Sequence, residues 1–311
     1  MNFFIGIDLG GTKIAGVLVN DRHEIVKEAR IATDTRDQAA VIGCIKAAID
    51  RLWDKDQAQS GPLAGIGIGE AGHVDSEKGM VVYCPNLPIE RLNLKAVIQD
   101  TYSVPVFIEN DANAAAVGEK VFGAARDNRN FVCVTLGTGI GAGIFIDGRI
   151  YRGSTGGAGE LGHMILDLNP DAPVCGCGNQ GCFEALASGI AIARRAAKIF
   201  GREEISAHDV ARMAQEGNGR ARELLADTAR IIGIGFANIV NLFNPEKIIV
   251  TGSLAESEDL ILKPAIETMM GRAFSTNAKV VEVIRSPLKN RAGVLGAAAL
   301  VILGISGKAG A

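Results

Sequence analysis

Residues 4–20, FIGIDLGGTKIAGVLVN, and residues 131–147, FVCVTLGTGIGAGIFID, superpose without a gap. Phe4 falls on Phe131, Leu9 on Leu136, Gly10 on Gly137, Ala15 on Ala142 and Gly16 on Gly143, and Asn20 meets Asp147 at the next turn. Each copy reads as apolar strand, glycine turn, apolar strand. The repetition points to a duplicated architecture. Working outward, residues 23–33 predict a third strand, 37–53 an amphipathic helix, and 54–62 a polar loop. Buried strands are expected at 63–69 and 104–111, with a helix over 112–123 starting where the second of them ends. Beyond 185 the pattern is mostly helical, including 258–274 and an apolar helix at 292–305, with strands at 246–254 and 280–286. Strands alternating with helices define an α/β protein.

The 311 residues are enough for two domains. A hydrophobic content of 48% and a charged content of 22% can fill a core, which argues against disorder. A net charge of -3 offers no broad attraction for nucleic acid or anionic lipid, so neither is expected as a partner. The opening MNFFIGIDLGG has no basic segment and its apolar run is cut by Asp8, unlike a signal peptide. The apolar stretch 292–305 is shorter than the ~18–20 residues that span a bilayer. No membrane association and a cytoplasmic location are therefore expected. The 39 glycines cluster at 5–16, 61–79, 135–162, 176–181 and 232–235, where backbone must turn sharply or approach something closely.

DLGGTK (8–13) and TLGTGIG (135–141) both follow an apolar strand. Small residues there let backbone N–H groups face a phosphate without an intervening Cβ. Neither is a P-loop or a dinucleotide fingerprint. The first has Thr12 where the P-loop needs Lys, and the second runs into a strand rather than a helix. A plain hairpin explains either turn alone, but two related turns carrying Thr beside Gly favour a phosphate clamp. Asp8 suits a Mg²⁺ shell and Lys13 a phosphate, against turn capping and simple solvation.

His163, Cys175, Cys177 and Cys182 offer one imidazole and three thiolates. That set matches a closed tetrahedral Zn²⁺ site, and the absence of a secretion signal favours metal over disulfides. Cys44, Cys84 and Cys133 stand alone in apolar contexts and read as core residues.

Taken together, DLGGTK, ENDANAAAVGE (109–119), TLGTGIGAG, GGAGELGH (156–163) and CGCGNQGCFE (175–184) resemble the ROK family of sugar kinases and repressors. YCPNLP (83–88) and EALASG (184–189) bring the sequence nearest to the bacterial ATP-dependent glucokinases of that family. The resemblance implies the actin-like, ribonuclease H-like duplicated fold, two α/β lobes with a central cleft. The lobes are expected at 1–113, completed by a returning helix at 298–311, and at 114–297 with the zinc loop. It also implies a homodimer or homotetramer.

Carried over residue by residue, Asp111 matches the catalytic base that accepts the proton of a sugar hydroxyl. Read without the resemblance, helix capping is the favoured role for Asp111. Asn110, Glu160, His163 and Glu184 match sugar-contacting residues, with Asn86 and the Gly72 segment beside them. Carboxylates and amides suit the paired hydroxyls of a sugar ring. His163 would serve both zinc and sugar, so that the metal fixes the imidazole and the 156–184 loop. Gly10, Gly11, Thr12, Gly137, Thr138 and Gly139 match the phosphate turns, and Gly252 the nucleotide side.

Two segments depart from the family pattern. GEAGHVD (69–75) carries Glu70 and His73 where many relatives have small residues or Pro, and VTGS (250–253) has one Gly where relatives often have more. The expected activity is ATP-dependent phosphorylation of a hexose, glucose first, with ATP, Mg²⁺ and structural Zn²⁺. N-acetylmannosamine, N-acetylglucosamine or fructose are the alternative sugars, and polyphosphate the alternative donor. A sugar-responsive repressor is the reading from another class. It is disfavoured because the first strand begins at about Phe3, with no helix-turn-helix ahead of it.

Overall fold

The computed structural model describes residues 1–54, 58 and 60–305. Part of the polar loop read at 54–62, and residues 306–311 of the expected last helix, lie outside them. Contacts divide the chain into two compact units. Of the described residues, unit 1 holds those within 1–129, 143–159 and 291–305, and unit 2 holds 130–142 and 160–290. Residues 114–129, 143–159 and 291–297 thus fall in unit 1, whereas the sequence reading drew its boundaries at 113 and 298.

In unit 1, β1 (Phe3–Leu9), β2 (Lys13–Asn20), β3 (Ile25–Ala32), β4 (Leu63–Glu70) and β8 (Val106–Asn110) form one sheet in the order β3-β2-β1-β4-β8. The first three run antiparallel, while β1, β4 and β8 are mutually parallel. Near-continuous apolar runs suit parallel strands buried on both faces, and Ile5, Ile7, Leu9, Ile66 and Ile68 have no solvent contact. Register pairs Leu9 with Glu70 and Glu70 with Asn110, so three strand ends meet at one edge. Beyond β4, a small antiparallel sheet forms from β5 (His73–Asp75), β6 (Met80–Tyr83) and β7 (Glu90–Leu92).

Helix α1 (Gln38–Leu52) is capped by Asp37, whose Oδ1 accepts from Ala40 N at 2.8 Å. After α2 (Leu94–Tyr102), the helix α3 (Asp111–Val121) starts directly at the end of β8. It is buried over most of its length and packs on α10 (Ala292–Ile305). Small residues make that contact possible. A Cβ on Gly296 would overlap the Ala114 carbonyl, and one on Gly67 of β4 would overlap the Ala297 carbonyl. Some of the clustered glycines therefore serve helix packing rather than ligand turns.

The second sheet has the order β11-β10-β9-β12-β13, the same layout as the first. It comprises β9 (Phe131–Leu136), β10 (Ile140–Ile146), β11 (Arg149–Ile150), β12 (Lys247–Thr251) and β13 (Glu282–Arg285). The chain passes from unit 2 to unit 1 within β10. β9, β12 and β13 are parallel, as β1, β4 and β8 are. The duplication read from the two glycine turns thus extends to whole sheets.

Helices α4 (Phe183–Ala187), α5 (Gly189–Phe200), α6 (Ala207–Gln215), α7 (Gly219–Phe243), α8 (Lys263–Arg272) and α9 (Ser275–Ala278) complete unit 2. The helix expected at 258–274 opens with a π turn at Glu258–Leu262. The regular helix follows, with Pro264 in its first turn, where the missing N–H costs least. Among the described residues no helix is long and apolar enough to cross a membrane.

Candidate active site and metal centre

In unit 1 the expected Asp8–Lys13, Gly72 and Asn110–Asp111 lie at or just beyond strand ends. Asn110 is the N-cap of α3: its Oδ1 accepts from Ala112 N at 2.9 Å and Asn113 N at 3.2 Å. Asn110 is thus the N-cap and Asp111 the first helical residue, whose Oδ1 also accepts from Ala112 N at 2.8 Å. Asp111 is half-buried, at the positive end of the helix dipole, which favours the carboxylate. The Nδ2 of Asn110 donates to the Gly72 carbonyl at 3.2 Å, so the 71–73 turn and the Asn110–Asp111 pair are fixed to one another.

The first glycine turn closes by Gly10 N–H donating to Lys13 O at 3.1 Å. Thr33 buttresses it from β3's end, its Oγ1 donating to Gly10 O at 2.7 Å. Gly11 faces Asn86, since a Cβ there would lie 3.1 Å from the Asn86 carbonyl. Thr12 and Lys13 are exposed. Burial raises Asp8 above the usual carboxylate range, against the pull of the Lys13 charge. A carboxylate in that setting gains from a nearby cation, as a Mg²⁺-holding residue would.

Three participants in unit 1 had no assigned role in the sequence reading. Glu109 is buried; its Oε2 accepts from Arg152 Nε at 2.8 Å and its Oε1 from Asn110 N and Asn113 Nδ2, each at 3.1 Å. It lies one residue before the Asn110–Asp111 pair, which was the available signal. His73 brings Nε2 to 2.9 Å from the Thr155 carbonyl, clasping the 151–159 segment to β5. Glu70 is wholly buried at the end of β4.

In unit 2 the second glycine turn is held on both sides. Gly137 O accepts from Gly189 N at 2.8 Å, at the start of α5, and Ile140 N donates to Glu184 Oε2 at 2.7 Å. Glu184, expected on the sugar side, thus spends one oxygen on the second glycine turn. Thr138 is exposed, and Gly139 lies against the Glu184 carboxyl. Gly252 follows β12 with φ +96°, and lines a small cavity with Thr251, Glu256, Arg285, Ser286 and Lys289. The last four were not foreseen, because no motif spacing marks them.

The four expected metal ligands converge. Their donor atoms all lie within 4.8 Å of one another. Cys175 Sγ is 3.6 Å from His163 Nδ1, and Cys177 Sγ is 3.7 Å from Cys182 Sγ. Edges of that length fit a tetrahedron with metal bonds of about 2.0–2.3 Å. Burial pushes the Cys182 thiol up to about 12, so its thiolate needs a cation beside it. The loop is shaped by Gly181, at φ +73°, whose carbonyl accepts from Leu166 N at 2.8 Å. The other ring nitrogen of His163, Nε2, lies 3.7 Å from Glu160 Oε2. Of the remaining cysteines, Cys84 and Cys133 are buried as expected, and Cys44 is partly buried against the core.

With the fold and these sites in view, comparison with known proteins is decisive at the family level. Residues 4–303 match the ROK family, and the chain belongs to it. It is 36% identical to a glucokinase of Streptomyces coelicolor, over 96% of this chain and 98% of that protein. It is also 34% identical to the xylose repressor of Bacillus subtilis, over 96% of this chain and 77% of the repressor. Among solved structures, a ROK family glucokinase from Streptomyces griseus in complex with glucose and AMPPNP superposes with a TM-score of 0.82. That match has 32% identity and covers 96% of this chain and 98% of the other. The fold is that of the actin-like ATPases.

Proposed function

We propose that this protein is an ATP-dependent hexose kinase with glucose as its first substrate, and that Asp111 is the general base. The observation that carries the reading is the division of labour at the end of β8. Asn110 takes the cap bonds from Ala112 N and Asn113 N, while Asp111 opens α3 at the strand edge, its Oδ1 sharing the Ala112 N–H at 2.8 Å. The likeness to the Streptomyces griseus glucokinase, solved with glucose and AMPPNP, supports the substrate pair.

On this reading Asp111 accepts the proton of the attacking hydroxyl as the γ-phosphoryl moves onto it. In unit 1, Asn110, Gly72 and Asn86 are the groups suited to ring hydroxyls; in unit 2, Glu160, His163 and Glu184 are. Backbone N–H groups around Gly10–Thr12 and Gly137–Gly139 bind phosphate oxygens, with Lys13 adding charge. Asp8 would hold a Mg²⁺ that neutralises the developing phosphate charge. His163, Cys175, Cys177 and Cys182 would hold a structural Zn²⁺ that fixes the loop carrying Glu160 and His163.

The likeness to the xylose repressor supports a second reading, sugar-responsive regulation, on the same sugar-binding residues. A coupled ADP-release assay across glucose, mannose, fructose, N-acetylglucosamine and N-acetylmannosamine separates the two. A kinase turns over with one or two of these sugars and glucose leads. Direct detection of sugar phosphate, with ATP replaced by polyphosphate, identifies the donor. Sugar binding with no sugar phosphate formed from either donor favours the regulatory reading.

A further inference from the structure

Glu70 closes β4 with no solvent contact, and neither of its carboxyl oxygens has a hydrogen-bond partner. A second observation concerns what surrounds it. Leu9, at the entrance to the first glycine turn, and Asn110 are its register partners on the flanking strands. Gly72 packs directly on the carboxyl, because a Cβ there would lie 2.9 Å from Glu70 Oε2. The Gly72 carbonyl is the acceptor that holds the Asn110 amide. The neighbouring carbonyl, Ala71 O, accepts from Cys84 Sγ at 3.2 Å, and Cys84 begins the segment that leads to Asn86. One unpartnered carboxyl therefore supports the backbone that positions three of the substrate-side groups of unit 1.

The charge state of such a group matters. A buried carboxylic acid costs far less than a buried carboxylate with no donor to meet it. Burial pushes Glu70 up to about 7, with the nearby Cys84 thiol opposing and the Asp111 charge adding to it. The other ionisable groups on the adjoining elements are already committed. Glu109 on β8 is paired with Arg152, His73 on β5 meets the Thr155 carbonyl, and Asp8 on β1 feels Lys13. No cation is placed to receive a Glu70 carboxylate among these neighbours.

We propose that Glu70 is a positioning residue that holds the Gly72–Asn110 arrangement only while it is uncharged. When it loses its proton to solvent, the carboxylate draws in water or turns outward. The Gly72 carbonyl then shifts from the Asn110 amide, and a second negative charge stands beside Asp111. The consequence for the reaction rests on the reading of Asn110 and Asp111 as sugar-side residues. The consequence for the backbone does not.

The test compares the full chain with its Glu70→Gln variant by hydrogen–deuterium exchange over residues 69–74 and 107–113. Rates are corrected for the intrinsic pH dependence, from about pH 6 to about pH 8. The wild-type protein should lose roughly tenfold protection in both segments across that range, and the variant should lose none. Parallel behaviour of the two proteins overturns the proposal. If Glu70→Gln folds poorly by circular dichroism, Glu70→Met, also uncharged, must behave as the glutamine variant is expected to. Glucose affinity, measured by calorimetry without nucleotide, is the second arm. It should weaken with pH in the wild type and hold in the variant. A divergence in exchange without one in affinity shows that Glu70 does not position the sugar groups. Absence of glucose binding in both proteins at every pH refutes the glucose reading, while the exchange arm still decides on Glu70.

Discussion

His163 faces two ways: Nδ1 points to the cysteine cluster, and Nε2 lies 3.7 Å from the carboxylate of Glu160, three residues earlier in the chain. At that distance the carboxylate neighbours Nε2 without a direct hydrogen bond, and a metal on Nδ1 would fix the orientation of the ring that faces it. On the proposed reading, metal and sugar would be coupled through this one ring, and such a coupling is reciprocal. Purified protein should contain one zinc per chain by elemental analysis. Saturating glucose should slow zinc loss to a chelator, followed with a colorimetric zinc indicator. Glu160→Gln should abolish that protection and weaken zinc roughly 10–100-fold, the usual cost of losing an outer partner of a ligand. Unchanged chelation kinetics with glucose present would show that the ring does not link the two.

Asp111 should be separable from sugar binding. Asp111→Asn keeps the side-chain volume and removes the proton acceptor. Turnover should fall by about 10²–10⁴-fold, the range expected for losing a positioned general base. Glucose affinity by calorimetry should change little, because Asn110 and Gly72 keep their bond. Near-normal turnover in this variant would remove Asp111 from the chemistry.

Glu70 also leaves a mark on stability, with a definite sign. Its carboxyl binds its proton more tightly in the folded chain, at about 7, than at the ordinary value of 4.5. Between those values the folded state carries more protons than the unfolded one, so stability falls as pH rises through this window. Below it, Glu70 and a glutamine are electrically alike. The Tm of Glu70→Gln should therefore match wild type near about pH 4.5 and exceed it above about pH 7. The gain should be on the order of 3 kcal/mol, measured by denaturant titration at each pH. A difference that does not change with pH would mean that the glutamate is charged throughout.

Legibility in the sequence followed the range of the interactions. The strand–turn–strand copies could be read because their periodicity and glycine spacing are local, and the equal strand order of both sheets agrees with them. The His–Cys cluster was legible for the same reason, since its four side chains fall between His163 and Cys182. Asn110 and Asp111 could be placed at a strand end, but which of them caps α3 depends on the bond from Asn113 N to Asn110 Oδ1, which no spacing reveals. Glu184 was read toward the sugar, yet its oxygen is claimed by Ile140 N from a distant turn. Glu70 stood out as a departure, while its burial arises only when the 71–73, 84–86 and 110–111 segments fold onto it. The packing role of Gly67 and Gly296 was hidden because it depends on where α10 lands.

The ion pair of Glu109 and Arg152 joins residues 43 positions apart, and Glu109 immediately precedes the Asn110–Asp111 pair. Glu109 is 2% exposed, so its charge depends on Arg152 and on the N–H groups of Asn110 and Asn113. Arg152 is 29% exposed and begins the segment that His73 clasps at Thr155. Removing the arginine leaves a buried carboxylate with amide donors only. Arg152→Ala should therefore destabilise the protein toward the lower end of roughly 3–5 kcal/mol, since Arg152 retains some solvent contact. The carboxylate would then recruit water or take up a proton, and either response moves the Asn110 backbone that sets the start of α3. Turnover should fall more than stability alone explains, with kcat reduced at saturating glucose under conditions where the variant is fully folded. Arg152→Lys keeps the charge but loses the planar fork, so it should restore most of the stability and part of the kcat. A fully folded Arg152→Ala protein with wild-type kcat would show that the pair holds the fold without tuning the base.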